Sequence, residues 1–255
     1  MNDSVSKYLE LLRVVSALGV FLYHASYDRF TGVTLDFDLG FGIGHVFVIV
    51  FFVLSGYVIA YASDVKDKSF FEFFSSRLSR FVVVPVLIFV PFLDYWGSYL
   101  APSLYDGTVS NSYIFLRFII NAFFLQEIWF ESFRYSSNGP LWSIGYEFWY
   151  YFFSVFVSAS ILSMKYLTFP AFFLRPFSIF SSSSFFIYVA HYPILLFVFS
   201  TFDLVKQNWL SWFFGVSLAL FVCVFIGNYI ESKRFWMKRA MFRTRNLKFK
   251  IKGWK

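Results

Sequence analysis

Arg13 and His24 are separated by ten residues of an otherwise apolar run, Leu11 to Tyr23. Ionisable side chains inside a membrane-spanning stretch are costly and mark function by default. Eleven steps of a 3.6-residue helix return to nearly the same face and advance about 16 Å, so the arginine can hold an anion near one surface while the histidine does proton chemistry deeper in. Arg77 and Arg80 stand at i and i+3, and two planar guanidinium forks on one side of a helix suit the oxygens of a phosphate group. Ordinary anchoring at a membrane surface explains such a pair equally well when it stands alone.

A carboxylate completes the set. In Asn138-Gly139-Pro140-Leu141-Trp142-Ser143-Ile144-Gly145-Tyr146-Glu147, Asn138 or Gly139 can cap a helix that Pro140 opens. Glu147 then lies roughly 10 Å inside that helix, sharing a face with Ser143. A buried carboxylate beside His24 would orient the imidazole and raise its basicity, as a general base taking a hydroxyl proton requires. Asp28, four residues after His24, is a second candidate for that role. The competing explanation is a satisfied His/Glu packing pair. Ser55 and Tyr57, around Gly56 in an apolar run, add two hydroxyls that close helix packing alone would also explain, and Trp142 stands beside Ser143. His45 and His191 are the remaining histidines; with Cys223 they have no helical ligand spacing, so no metal site is expected.

The elements that must position these groups are membrane helices. A chain of 255 residues that is 58% hydrophobic, 26% aromatic and 15% charged, with a mean hydropathy of +0.63, has lipid as its preferred solvent. The expected fold class is all-α, a polytopic integral membrane bundle of seven to eight transmembrane helices. Apolar runs suited to spanning cover 8 to 27, 40 to 62, 81 to 100, 112 to 130, 140 to 162, 183 to 201 and 209 to 230. The first run carries Arg13 and His24 and no convincing cleavage site, and is expected to stay as a signal anchor. Residues 232 to 255 hold ten Lys and Arg and no acid. That tail is expected to form a basic cytoplasmic segment behind a membrane domain of residues 1 to 231, anchored on anionic lipid rather than nucleic acid. With Lys7 inside, the first three helices obey the positive-inside rule, but seven spans would leave the basic tail outside. An eighth, broken element at 166 to 182, interrupted by Pro170, Arg175 and Pro176, restores the parity.

Taken in order, these features resemble the membrane acyltransferase type 3 family, which O-acylates surface sugars and related acceptors. Arg13 with His24 is similar to its arginine-ten-residues-histidine element, and Phe51 to Tyr57 to its Phe-Phe-x-Leu-Ser-Gly-aromatic helix. Arg77 with Arg80 resembles its Arg-x-x-Arg pair. Trp142, Ser143 and Glu147 resemble its Trp-Ser-x-x-x-x-Glu helix, and Tyr188, His191 and Pro193 its Tyr-x-x-His-x-Pro segment. The resemblance covers about residues 8 to 200. It implies transfer of an acyl group, usually acetyl, from cytoplasmic acyl-CoA to a hydroxyl of a cell-surface or lipid-linked glycan, at a bacterial inner membrane, with both termini cytoplasmic. Arg13, Arg77 and Arg80 would hold the acyl-CoA; His24 would activate the acceptor, oriented by Glu147. Asp28, Ser55, Tyr57, Trp142 and Ser143 would shape the site. His24 could deprotonate the acceptor directly or first carry the acyl group.

The chain departs from the family in one place. Members usually have about ten helices, several of them between the Glu147-type helix and the Tyr-x-x-His-x-Pro segment, yet few residues separate Glu147 from Tyr188 here. Part of the acceptor side is expected to be missing, which fits a minimal variant, an internally deleted relative, or a chain whose site is completed by a partner subunit or a second copy. The alternative is an inactive or non-enzymatic membrane protein, such as a component of a glycan transporter or flippase.

Overall fold

The computed structural model describes residues 3–32, 42–61, 83–110, 112–128, 131–154, 178–204 and 208–252. Its elements in chain order are α1 (Asp3–Ala25), α2 (Asp28–Thr31), α3 (Ile43–Tyr61), α4 (Val83–Leu100), α5 (Pro102–Tyr105), α6 (Ile114–Ala122), and a hairpin of β1 (Glu127–Ile128) and β2 (Glu131–Ser132). A 3-10 turn at Gly139–Leu141 then leads into α7 (Trp142–Ser154), followed by α8 (Ser178–Thr201) and α9 (Trp209–Lys252). Among the described residues the fold is helical apart from that antiparallel hairpin and an isolated bridge between Ser110 and Ser136.

The long helices alternate in direction, as cross-helix contacts show. Phe47 lies over Gly19 and Tyr23 over Gly44, so α1 and α3 are antiparallel. A Cβ on Gly44 would stand 2.3 Å from the Tyr23 ring; glycine there lets the two helices close up. His24 at the end of α1 meets His191, and Phe30, just beyond it in α2, meets Phe199, so α8 runs along the direction of the α1–α2 segment. Phe199 covers Gly215 and Ser183 covers Gly227, so α9 returns antiparallel to α8. The Trp212 indole donates to the Ala25 carbonyl at 2.9 Å, fixing the start of α9 at the end of α1.

Helix α8 is the centre. It packs against α1, α4 and α9, and Ile187, Leu195, Leu196 and Phe199 are fully buried on it. The outward faces of its neighbours are apolar: Val46, Ile49 and Val53 on α3, Ile88, Phe92, Trp96 and Tyr99 on α4, and Phe214, Phe221 and Phe225 on α9 are all exposed. Water would penalise such surfaces; lipid would not. Among the described residues, Phe180–Thr201 and Trp209–Lys233 are long and apolar enough to cross a membrane, and Ile43–Val58 is a shorter apolar helix.

Two sequence expectations change here. The run at 112 to 130 is not a spanning helix. It forms the short α6, ended by Phe124 at a positive φ of 60°, and then the hairpin. Its polar residues explain this, because their partners lie in the surrounding loop. Arg117 donates to the carbonyls of Ser112 and Arg134, Asn121 to those of Arg117 and Phe133, and Gln126 to that of Leu141, all at 2.8 to 2.9 Å. Mean apolarity over the window hid a segment whose polar positions bind backbone. Helix α9 continues without a break past residue 231 as far as Lys252. The second change is at Asn138, which does not cap the helix through its side chain. Its amide donates to the Val189 carbonyl at 3.0 Å and ties the turn to α8. Of the element expected at 166 to 182, residues 166–177 lie outside the described residues and 178–182 open α8.

Candidate functional site

Where α1 ends, a cavity of about 540 Å³ opens between α1, α3, the loop of residues 107 to 140 and α8. His24 lines it, in the last turn of α1, with Tyr23, Tyr27, His45, Trp142 and Tyr192 around it. The rings of Tyr27 and Tyr192 sit edge-on to the imidazole at centroid distances of 5.2 and 5.5 Å. Trp142 lies 6.0 Å from His45. An aromatic wall with a few convergent polar groups is the usual form of a small-molecule site.

The hydrogen bonds assign the protons of the histidine pair. His191 is fully buried, and its Nδ1 lies 2.9 and 3.0 Å from the carbonyl oxygens of Ile187 and Tyr188. Both are acceptors, so Nδ1 carries the proton and the Nε2 of neutral His191 carries a lone pair. That Nε2 is 3.0 Å from Nδ1 of His24, which is itself 2.9 Å from the Val20 carbonyl. Both neighbours of the His24 Nδ1 are acceptors, so it donates, and the Nε2 of His24 keeps its lone pair. A half-buried imidazole lining a cavity with an unprotonated nitrogen is equipped to take a proton or to attack a carbonyl.

Glu147 is not the group that orients this ring. Its carboxylate is buried in α7 and accepts a hydrogen bond from Ser55 Oγ at 3.0 Å, whereas the ring bonds of His24 go to Val20 and His191. The distance between the two sites has a geometric cause. Trp142, at the start of α7, reaches the His24 cavity, and Glu147 is a turn and a half further along the helix, about 7.5 Å. There Ser55 and Glu147 belong to a second polar cluster, in which Tyr188 donates to Ser143 Oγ at 2.6 Å and Ser143 donates to the Pro140 carbonyl at 3.1 Å. Phe51 stacks flat on Tyr188 at 4.6 Å, closing that layer. One helix, α8, serves both: Tyr188 reaches the Ser143 layer, and His191, three residues on, reaches His24.

The other expected site residues divide. Trp142 lines the cavity. Ser55 and Ser143 lie in the deeper cluster. Tyr57 packs against the small apolar group of Val5, Leu9 and Leu54. Asp28 is exposed in α2 and makes no side-chain bond to His24. Arg13 is half-buried partway along α1, away from the cavity wall. Arg77 and Arg80 lie outside the described residues.

Two supporting groups were not singled out from the sequence. One is His191, noted only as part of a motif. The other is Asp94, buried on α4, which accepts bonds from Ser136 Oγ at 2.5 Å, Ser137 N at 2.9 Å and Ser137 Oγ at 2.7 Å. Ser136 has a φ of 52°, a left-handed conformation that costs energy for a residue with a Cβ. The Asp94 clamp holds that turn, and Ser137 and the following Gly139 and Pro140 form part of the cavity wall. A carboxylate inside an apolar run is the signal that would have flagged Asp94, by the same rule that flagged His24.

A helical bundle with lipid-compatible outer faces, enclosing a histidine-centred cavity at one end, defines a membrane protein equipped for proton or group transfer. A family model described as an acyltransferase domain, that of the acyltransferase 3 family, matches residues 6–168. The chain belongs to the membrane acyltransferase type 3 family. The match takes in Arg13, His24, Ser55, Trp142 and Glu147 and stops before α8, which supplies His191. Neither the curated proteins nor the solved structures contain a match.

Proposed function

We propose that this membrane acyltransferase is an O-acyltransferase, moving an acyl group, acetyl by expectation, from cytoplasmic acyl-CoA to a hydroxyl of a cell-surface or lipid-linked glycan. The observation that carries this is the free Nε2 of His24 facing an aromatic-lined cavity, held in that tautomer by His191. In the reaction, Nε2 takes the proton of the acceptor hydroxyl as its oxygen attacks the thioester carbonyl. The C–O bond forms, the C–S bond breaks, and the leaving thiolate takes the proton back from the imidazolium. General-base help of this kind is worth about 10²–10⁴-fold in rate. The same lone pair could first accept the acyl group; a hydroxylamine-sensitive acyl-enzyme would distinguish that route.

The alternating directions of the helices support an orientation: if α1, α3, α4, α7, α8 and α9 each cross the membrane, the number of crossings is even and both termini share one side. On that topology the basic residues Lys7, Lys66, Lys68, Arg77, Arg80, Lys165 and Arg175, and those after residue 231, would share that side. The positive-inside rule makes it cytoplasmic, in a bacterial inner membrane by family expectation. In this proposal Arg77 and Arg80 receive the CoA phosphates, Arg13 stands partway along α1 toward His24, and the His24 cavity opens outward to the acceptor. Glu147 and Ser55 act as positioning residues beneath the cavity, fixing α3 against α7.

The test is expression in a host lacking its own O-acyltransferases, with labelled acetyl-CoA supplied to membrane vesicles and surface glycan counted for label. Label that requires His24, lost in H24A protein that is still membrane-inserted, is the expected result. Transport of lipid-linked glycan with no label incorporated would overturn the reading in favour of a non-enzymatic component.

A further inference from the structure

The His24 cavity carries a charge that its chemistry does not need. Arg29, five residues after His24, lines the wall, with Arg134 on the loop side. Helix α2 places Arg29 firmly: the next residue, Phe30, is buried against Phe199 and Tyr192, and one guanidinium nitrogen of Arg29 donates to the buried Leu104 carbonyl at 2.9 Å. Its Nε is buried and has no hydrogen-bond partner. The one acid in the wall, Glu127, accepts a bond from Ser132 at 2.6 Å. Among the described residues neither arginine is paired with a carboxylate.

A guanidinium held by one carbonyl in the wall of a cavity is a ready site for a planar anion. It shares Tyr192 and Tyr27 with the base: Tyr192 lies against both His24 and Phe30. We infer that the acceptor is acidic, a sugar carrying a carboxylate or phosphate, and that Arg29 binds this group, helped by Arg134, so that a neighbouring hydroxyl meets Nε2 of His24. Glu127 is left to accept hydrogen bonds from sugar hydroxyls. This rests on the acyl-transfer reading for the role of the bound sugar, while the anion site itself does not.

The experiment uses the full chain in lipid nanodiscs, with acetyl-CoA as donor and D-glucuronate and D-glucuronamide as paired probes of nearly equal shape. Transfer is measured by label, and binding separately by quenching of tryptophan fluorescence. Expected is a kcat/KM about tenfold or more higher for the acid, the size of one charge-assisted hydrogen bond. That preference should fall to parity in R29Q and partway in R134Q, with the KM for acetyl-CoA unchanged. Equal use of the acid and the amide by the wild type would overturn the inference and leave acyl transfer standing. A raised KM for acetyl-CoA in R29Q, with acceptor preference intact, would assign the arginine to a CoA phosphate and equally overturn it. Arg29-dependent binding of glucuronate with no transfer would keep the anion site and remove the acyl-transfer reading; neither binding nor transfer would remove both.

Discussion

Two polar sites lie within a few helical turns of each other, one of serine, glutamate and tyrosine and one of paired histidines, and only the second is open. In the Ser55–Glu147 and Ser143–Tyr188 layer the hydroxyls are directed at partners within the bundle, and the stacked rings of Phe51 and Tyr188 cover them. In the His24 layer the buried partner, His191, is fully engaged, and its engagement leaves the outer imidazole with one nitrogen unused. Burial of an ionisable residue therefore does not by itself identify the reacting group. What identifies it is where the hydrogen-bond accounting ends with an atom facing space.

That difference can be broken from either side. The largest effect is expected from His24→Ala, which removes the lone pair: about 10³-fold or more in kcat/KM with little change in thermal stability, read by labelled acyl transfer and by a melting curve in detergent. Loss of stability with activity retained in the folded fraction would place His24 in the structural class with Glu147. Asp94→Ala should act the other way, through folding. It strands Ser136 and Ser137 and removes three bonds to a buried carboxylate, costing about 3 kcal/mol by thermal or chemical denaturation. The residual activity should be restored on cooling, as long as the turn reforms.

Glu147→Gln should be milder, about tenfold or less in activity, because the amide oxygen can still accept from Ser55. A loss as deep as that of H24A would show that the closed layer takes part in chemistry after all. Smallest of all, Asn138→Ala removes one bond to α8 and should cost about 1 kcal/mol, seen as a modest drop in melting temperature with kcat nearly intact.

Much of this was legible in the chain. The membrane class, the helices bearing Arg13–His24, Phe51–Tyr57 and Trp142–Glu147, and the acyltransferase resemblance all follow from apolar runs interrupted by a few polar residues in a recognisable order. What failed did so for physical reasons. Hydropathy averaged over 112 to 130 could not register that Arg117, Asn121 and Gln126 bind backbone carbonyls. The partner of His24 was assigned to a carboxylate on chemical grounds, but helical rise puts Glu147 a turn and a half past the cavity, and the long-range contact from His191, far along the chain, has no local signature. The clamp on Ser136 was likewise invisible, since the strain it offsets appears only once the backbone is built.

The central claim is that His24 and His191 work as one unit, the second acting only through the first. A double-mutant cycle on purified protein in nanodiscs tests it most directly, with acyl transfer measured for H24A, H191A and the pair. The expected result is a loss of about 10–10²-fold for H191A alone, and a double variant no slower than H24A, because a ring that is gone cannot be misoriented. If the two losses multiply, or if H191A transfers acyl groups at the wild-type rate, the pair is not coupled and the assignment of His24 Nε2 as the reacting atom fails.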